Sequence, residues 1–307
     1  MVLEADALIE PGASREVPVS PPPARRTAVP APPRAAFTVD LEDWYQSTVD
    51  FDAPIGERVV ENVDRLLAML DPNRVKATFF VQGLVARRHP GLIQRLVAEG
   101  HEIQSHAHTH RPLDRMDRRA LEQELDAARK SVEDASGVRV TAFRAPDFSI
   151  VEGNLWALEV LAANGFLVDS SVFPVRTRRY GVSGWSLAPQ RLRFTDGLEL
   201  LEVPVAVASW GSVRLPVAGG GYFRLLPLPM LTRGLNSCIA EGRPAVVYCH
   251  PYEFNEREMA AYGSAVPWWK RKHQGIGRAA MIRRIEALLR KVTFGRLDHV
   301  LAAWGLT

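Results

Sequence analysis

The chain has 307 residues, of which 47% are hydrophobic and 24% are charged. That length is sufficient for one large α/β domain, and the composition excludes a collagen-like or wholly disordered chain. No apolar run is long enough to span a bilayer, and a net charge of +3 is too small to indicate nucleic acid binding. The two cysteines, Cys238 and Cys249, cannot form a disulfide framework, which favours a reducing compartment.

Residues 1–35 differ in composition from the rest of the chain. They are rich in proline and lack the apolar periodicity of a buried face, so they are predicted to form an extended arm. The first residues also lack a basic segment followed by an apolar one, so no secretory signal is predicted. The expected location is therefore the cytoplasm, including the inner membrane face, and the folded domain is expected to span residues 36–307.

Strand and helix patterns alternate from Ala36 onwards. Strands are predicted at residues 36–40, 76–81, 139–143, 166–169 and 244–249. Helices are predicted at residues 58–70, 90–99, 118–135, 154–164 and 278–292. Residues 191–224 are expected to add short strands and a glycine turn at 219–221. Because strand and helix repeat with short loops, the expected fold class is α/β with parallel β/α units.

Carboxylates and histidines follow the predicted strands closely. Asp40, Glu42 and Asp43 come at the end of the first strand, and His106 and His110 lie four residues apart. On a helical turn both imidazoles would project from one face, as a metal requires. One carboxylate with two imidazoles leaves metal positions open, which favours catalysis. The structural alternatives are helix caps for the carboxylates and a polar, solvated turn for the histidines.

Two further strand ends complete a hydrolytic site. Asp40 is suited to be a general base, and Arg144 would keep that carboxylate charged and oriented. His250, at the end of the last buried strand, is suited to be the general acid. The structural alternatives are a packed core histidine for His250 and an ordinary surface ion pair for Arg144.

These motifs resemble the NodB-homology polysaccharide deacetylases, carbohydrate esterase family 4. The resemblance rests on ATFFVQG at 77–83, GHEIQSHAHTH at 100–110, FRAPDFS at 143–149 and the apolar strand that ends in His250. A closer resemblance is to the exosortase-associated branch, which is found with exopolysaccharide loci. It rests on VDLEDWYQ at 39–46, DSSVFP at 169–174, GGGYFRLLPLP at 219–229 and HPYEFN at 250–255.

The resemblance implies a single distorted (β/α) barrel with an insertion of short strands and a C-terminal helix. It implies removal of N-acetyl groups from the amino sugars of an exopolysaccharide or its precursor, with one divalent metal, usually zinc. His106 and His110 would be metal ligands, Asp40 the base, Arg144 its partner and His250 the acid.

The chain departs from the family pattern at the carboxylate ligand. The family has two adjacent aspartates, a base and then a metal ligand, whereas this chain has Asp40-Leu41-Glu42-Asp43. Asp43 preserves the residue type and is the expected ligand. Glu42 preserves the in-and-out alternation of the strand with Asp40 and is the alternative.

Aromatic residues near these motifs are expected either to stack against a sugar ring or simply to pack the barrel mouth. Pro146 is expected to shape the loop of Arg144. The aromatic residues are Trp44, Tyr45, Phe148, Tyr222 and Tyr252.

Residues 268–291 contain eight Lys or Arg and a single acid, Glu286. Contact with a membrane surface or an acidic polymer is one interpretation. The other is a helix that covers the barrel and turns its basic face to water. The expected partners are an N-acetylated amino-sugar polymer or a lipid-linked precursor, with no nucleic acid.

Two other functions are kept open at this point. One is a metal-dependent hydrolase of a small cyclic amide or ureide on a related barrel, which a deep, closed pocket would favour. The other is a non-catalytic barrel that binds glycan, suggested by the altered first motif and the proline-rich arm.

Overall fold

The computed structural model describes residues 32–211 and 213–307, so most of the predicted arm lies outside the described residues. The strands are β1 (Ala35–Leu41), β2 (Thr78–Val81), β3 (Glu102–Ser105), β4 (Ala142–Phe143), β5 (Val168–Asp169), β6 (Gln190–Arg193), β7 (Glu199–Glu202), β8 (Val207–Trp210), β9 (Val213–Pro216), β10 (Ala245–Cys249) and β11 (Phe294–Gly295). The helices are α1 (Trp44–Thr48), α2 (Arg58–Leu70), α3 (Gly83–Arg88), α4 (Pro90–Ala98), α5 (Arg118–Ser136), α6 (Trp156–Ala163), α7 (Gly221–Leu225), α8 (Leu228–Ala240), α9 (Glu258–Ala261), α10 (Trp268–Gly275), α11 (Arg278–Leu289) and α12 (Leu297–Ala303).

Most of the strands belong to one sheet. Its order is β10-β1-β2-β3-β4-β5-β7-β6, and β11 pairs with β1 beside this path. The pairs are parallel except for β6 with β7. Strands β8 and β9 form a separate antiparallel pair. The predicted α/β fold with parallel units is therefore confirmed.

The sequence of strand β1 is an almost continuous apolar run because the strand is buried on both faces. All seven residues of β1 are buried, because the strand lies between β10 and β2 and helices cover the sheet. Helix α2 has the same bounds as predicted, and its buried residues recur every three or four positions. They include Val59, Val63, Leu66 and Leu70.

The strand at 139–143 is shorter in the structure than in the prediction. Val140 N donates to Glu133 Oε1 at 2.9 Å, and Thr141 N donates to Gln104 Oε1 at 2.9 Å. The amide of Ala142 also bonds to Gln104 Oε1, at 2.7 Å, and only Ala142 and Phe143 pair with β5 as a ladder. The elements that were not predicted are α1, α3, α7, α8, α9, α10, α12, β3 and β11. All of them except the thirteen-residue α8 have eight residues or fewer, which carry too little periodicity.

The basic C-terminal region divides into two helices with different surroundings. In α11 the apolar side chains predicted to lie on one face are all buried: Met281, Ile285, Leu288 and Leu289. This helix packs against α7, α8 and the turn at Pro251–Phe254, so its apolar face is covered by the protein. Within the described residues, no helix combines the length and apolar character that crossing a membrane requires.

The topology brings the chemically active segments together. Strands β10, β1, β2, β3 and β4 are neighbours and parallel, so their carboxyl ends lie at one edge of the sheet. Asp40, His106, Arg144 and His250 lie at or just after the ends of four of these strands. A functional site is therefore expected at that edge of the sheet.

Candidate active site

Glu42, His106 and His110 form a buried cluster that fits a metal ion. One ligand atom from each residue lies within 4.8 Å of the other two. His106 Nε2 is 3.6 Å from Glu42 Oε2, and His110 Nε2 contacts the same oxygen. Glu42 Oε2 and His110 Nδ1 are buried with no hydrogen-bond partner in the described residues. Two imidazoles and one carboxylate around otherwise unsatisfied atoms are the donor set of an open divalent-metal site.

Hydrogen bonds orient the ligands of this cluster. His106 Nδ1 donates to the backbone carbonyl of Arg144 at 2.8 Å, which leaves Nε2 free for a metal. Glu42 Oε1 accepts from Ser47 Oγ at 3.1 Å and from the Tyr252 hydroxyl at 3.2 Å. Burial would raise the pKa of Glu42, but His110 and His106 hold that pKa well below its usual range. The carboxylate is therefore charged, as a metal ligand must be.

The two histidines meet on a loop and not on a helical turn, so that part of the prediction is corrected. Strand β3 ends at Ser105, and the chain then reverses through Ala107 at φ 59° and His110 at φ 63°. His108 points to the other side, where Ser131 Oγ lies 3.5 Å from its Nδ1. A Cβ at Gly83 would come within 2.3 Å of the same nitrogen, so only glycine fits there.

Asp43, the expected carboxylate ligand, has a different role in the structure. Its Oδ1 accepts from the backbone amides of Tyr45 and Gln46 at 2.8 and 3.2 Å, and its Oδ2 accepts from Gly56 N at 2.8 Å. Asp43 is thus the N-cap of α1. The expectation for Asp43 is corrected in favour of the alternative, Glu42, because β1 continues to Leu41 and its alternation turns Glu42 towards the histidines.

Asp40 and Arg144 form a fully buried ion pair beside this cluster. Arg144 Nη1 donates to Asp40 Oδ1 at 2.8 Å and to Thr38 Oγ1 at 2.6 Å. The other side of the guanidinium donates to Ser170, through Nε to the carbonyl at 3.1 Å and through Nη2 to Oγ at 2.9 Å. The guanidinium carbon of Arg144, Cζ, lies 4.3 Å from the centre of the Phe80 ring. Five contacts fix the guanidinium, and the guanidinium in turn fixes the Asp40 carboxylate.

His250 lies across the pocket with a carboxylate behind it. Glu253 Oε2 is 3.1 Å from His250 Nδ1 and accepts from His250 N at 3.0 Å. Burial would lower the pKa of His250, but Glu253 outweighs it and raises that pKa to about 9. His250 is therefore protonated at neutral pH. Glu253 was not singled out from the sequence, although its position three residues after a histidine at the start of a short turn is a usable signal.

The site opens to solvent through a pocket of about 130 Å³. Asp40, the Glu42–His106–His110 cluster and His250 line it together with the predicted aromatics Trp44, Phe148 and Tyr252. Residues that line it without having been predicted include Thr48, Asp147, Arg179, Tyr180, Tyr248 and Gln274.

Three residues that were predicted to contact the substrate do not line this pocket, because each packs against another part of the protein. Tyr45 stacks on Tyr262 at 5.6 Å between ring centres, and Tyr222 in α7 packs against the main core. Pro146 is buried in the short turn after Arg144, where the next two residues adopt positive φ angles of 55° and 52°. Such backbone strain is common at functional loops.

Two family models match separate parts of the chain. Residues 46–163 match the model described as Polysaccharide deacetylase, and residues 170–302 match the one described as a domain of unknown function (DUF3473). The Asp40 and Glu42 motif lies just before the first match, and His250 lies within the second.

Curated relatives match part of the chain. A chitooligosaccharide deacetylase of Sinorhizobium fredii is 37% identical over 122 residues, which are 38% of this chain and 54% of the relative. The peptidoglycan-N-acetylglucosamine deacetylase PgdA of Listeria monocytogenes is 35% identical over 81 residues, 26% of this chain and 17% of the relative. The chain thus spans about half or less of the length of these relatives.

Solved structures share the fold over most of the chain. One from Mycobacterium smegmatis, described as a candidate polysaccharide deacetylase, has a TM-score of 0.55 and 23% identity and covers 91% of this chain and 94% of its own. An allantoinase (Puue) has a TM-score of 0.56 and 18% identity, with coverage of 89% and 90%. At these identities the likeness concerns the fold, and it agrees with the expected NodB-type (β/α) barrel.

Proposed function

We propose that this chain, which contains a polysaccharide deacetylase domain, is a metal-dependent hydrolase that removes N-acetyl groups from amino-sugar polymers. The observation that carries the proposal is one pocket that combines the Glu42–His106–His110 cluster, the Asp40–Arg144 pair and His250. The relatives named above deacetylate, by their names, chitooligosaccharides and peptidoglycan N-acetylglucosamine. This chain's own substrate in the proposal is an exopolysaccharide or its lipid-linked precursor, and the metal is zinc.

Glu42, His106 and His110 would hold the ion, with His106 oriented by the Arg144 carbonyl. When bound, a divalent metal polarises the amide carbonyl and makes water more acidic. Asp40 then takes a proton from the attacking water, and the bond from Arg144 holds this carboxylate in place at the pocket.

His250 completes the reaction on the leaving group. As the C–N bond of the acetamide breaks, the amine nitrogen accepts the proton that His250 Nε2 carries. Glu253 holds the opposite ring nitrogen and so keeps the imidazole charged and oriented. The products are acetate and a free amino sugar, and the three aromatic walls of Trp44, Phe148 and Tyr252 would hold the sugar ring.

Acetate release from N-acetylglucosamine oligomers tests the proposal. Asp40→Asn keeps the shape of the side chain but removes the base, so acetate release should fall by a factor of about 10² to 10⁴. Asp114→Asn, which changes an exposed aspartate outside the pocket, is the matched control and should leave the rate unchanged.

Three results would contradict the proposal. The first is undiminished acetate release by a folded Asp40→Asn variant. The second is hydrolysis of a cyclic ureide with no acetate release, which would favour the small-amide alternative. The third is tight binding of oligomers without turnover by zinc-loaded protein, which would favour the glycan-binding alternative.

A further inference from the structure

Helix α10 turns large apolar side chains to solvent. Trp268 is 69% exposed, Trp269 60% and Ile276, at the end of the helix, 55%. Leu225, which is 73% exposed, ends α7 next to this helix. Trp269, Lys272 and Ile276 fall on one face, since they are three and four residues apart. We call Trp268, Trp269, Lys272 and Ile276 the α10 surface.

The opposite face of α10 is fixed to the protein. Lys270 Nζ donates to the Thr48 carbonyl at 3.1 Å and lies 5.9 Å from the Trp44 ring centre. Arg224 Nη1 donates to the Gln274 carbonyl at 3.0 Å. The helix is therefore anchored by one face, and its exposed tryptophans belong to an ordered element.

The charge of this segment has one sign. Residues 267–277 read PWWKRKHQGIG, with three Lys or Arg and no acid. Lys270 and Arg271 donate to backbone carbonyls and not to carboxylates. The positive charge next to the apolar side chains is thus not neutralised by the helix itself, and it complements an anionic surface.

The α10 surface adjoins the catalytic pocket. Gln274 of the same helix lines that pocket, as do Trp44 and Thr48, the two residues that Lys270 contacts. A partner bound to the α10 surface would therefore lie at the mouth of the active site.

A lipid bilayer fits this combination better than a carbohydrate does. Stacking on sugar rings uses aromatic faces and polar groups and gains little from exposed aliphatic side chains such as Ile276 and Leu225. Tryptophan with aliphatic residues, flanked by Lys and Arg, is the composition of elements that lie in the interface of an anionic membrane. Helix α11, whose apolar face is buried in the protein, is not part of this surface.

We propose that the α10 surface binds the protein peripherally to an anionic membrane and holds the mouth of the catalytic pocket at the lipid surface. The proposal concerns binding, so it stands or falls independently of whether acetate is released. Membrane contact was one of the two interpretations of the basic region 268–291, and the proposal assigns that contact to helix α10 alone.

Vesicle partition of the full chain tests the proposal. Vesicles of phosphatidylcholine with 30% phosphatidylglycerol and vesicles of phosphatidylcholine alone are compared in sedimentation and in tryptophan quenching by brominated lipid. Binding should require phosphatidylglycerol, weaken with added salt and quench tryptophan fluorescence. Trp268→Ala with Trp269→Ala should lower the partition coefficient at least about tenfold, and Lys272→Glu should lower it as well.

Leu167→Ala is the matched control, because Leu167 is an exposed apolar residue that lines a different pocket and should leave partition unchanged. Acetate release from soluble oligomers should be the same in all these variants. No partition of the wild-type protein, or equal partition of the double tryptophan variant, would overturn the proposal. Two further results would overturn it if the wild-type protein does not bind vesicles. Loss of oligomer binding in the double tryptophan variant would assign the surface to glycan, and loss of self-association would assign it to a second copy of the chain.

Discussion

At the scale of single residues, Glu253 is the neighbour that raises the pKa of His250 most. Glu253 Oε2 contacts both the ring Nδ1 and the backbone amide of His250, and these contacts overcome a burial that would favour the neutral ring. The same short turn, residues Pro251–Phe254, also places Tyr252 against Glu42. Residues 250–253 therefore contain the proposed acid, its carboxylate partner and a hydrogen bond to Glu42.

The pH profile of kcat/KM tests the role of Glu253. A general acid must be protonated, so activity should be lost as pH rises through the His250 pKa, which Glu253 raises to about 9. Glu253→Gln removes the carboxylate and leaves burial, which lowers the pKa, so the basic limb should move to lower pH. Glu256→Gln, which changes an exposed glutamate nearby, should not move it. A basic limb at the same pH in Glu253→Gln and wild type would contradict this role.

The residues of the site were predictable to different degrees. Asp40, His106, His110, Arg144 and His250 follow from strand ends and spacing, because parallel strands bring their carboxyl ends together.

The choice between Glu42 and Asp43 depended on where β1 ends, and element boundaries are the weakest part of a sequence reading. A signal for the cap was present. Asp43 is followed three residues later by Gln46, the spacing of a helix start.

At the scale of elements, strands β5 and β7 place two acids side by side. Asp169 and Glu202 are register partners, and both are fully buried. The pKa of Glu202 is raised well above its usual value, mainly by burial and secondly by the neighbouring Asp169. Glu202 Oε2 has no hydrogen-bond partner in the described residues, and burial raises the pKa of Asp169 as well. The chain then continues to Ser170, whose carbonyl and hydroxyl hold Arg144.

This pair should make stability depend on pH. Because the pKa of Glu202 is higher in the folded protein, the folded state binds more protons than the unfolded state above about pH 4.5. The free energy of unfolding should therefore fall as pH rises, by about 1.4 kcal/mol for each pKa unit between the two states.

Glu202→Gln keeps a hydrogen-bond donor for Asp169 without an ionisable group. Thermal unfolding is measured at pH 5 and at pH 8. The Tm of the variant minus the Tm of the wild type should be larger at pH 8 than at pH 5. Glu199→Gln, at an exposed position of the same strand, should show no such trend. An equal Tm difference at both pH values would show that the pair does not titrate as argued.

The elements also show where sequence patterns fail. Helix α2 was predicted residue for residue because its buried side chains recur every three or four positions along thirteen residues. Strands β4, β5 and β11 have two residues each, and beside β4 the side chains of Gln104 and Glu133 bond to backbone amides. Such long-range contacts cannot be read from local periodicity.

At the scale of the whole molecule, the site is assembled from distant parts of the chain. The bond between the Tyr252 hydroxyl and Glu42 joins residues 210 positions apart, and Arg144 bonds to Asp40 across 104 positions. The two halves that match different family models, residues 46–163 and 170–302, thus contribute to one pocket. The proposed chemistry needs both halves, because the first supplies the histidine ligands and the second supplies His250.

The most direct measurement of the central claim is the metal content of zinc-loaded and desalted protein. We predict about one ion per chain in the wild type and in Asp43→Ala, which loses only the cap of α1, and almost none in Glu42→Gln. An ion retained in Glu42→Gln and lost in Asp43→Ala would make Asp43 the ligand. No ion in the wild-type protein would contradict the metal-dependent hydrolase itself.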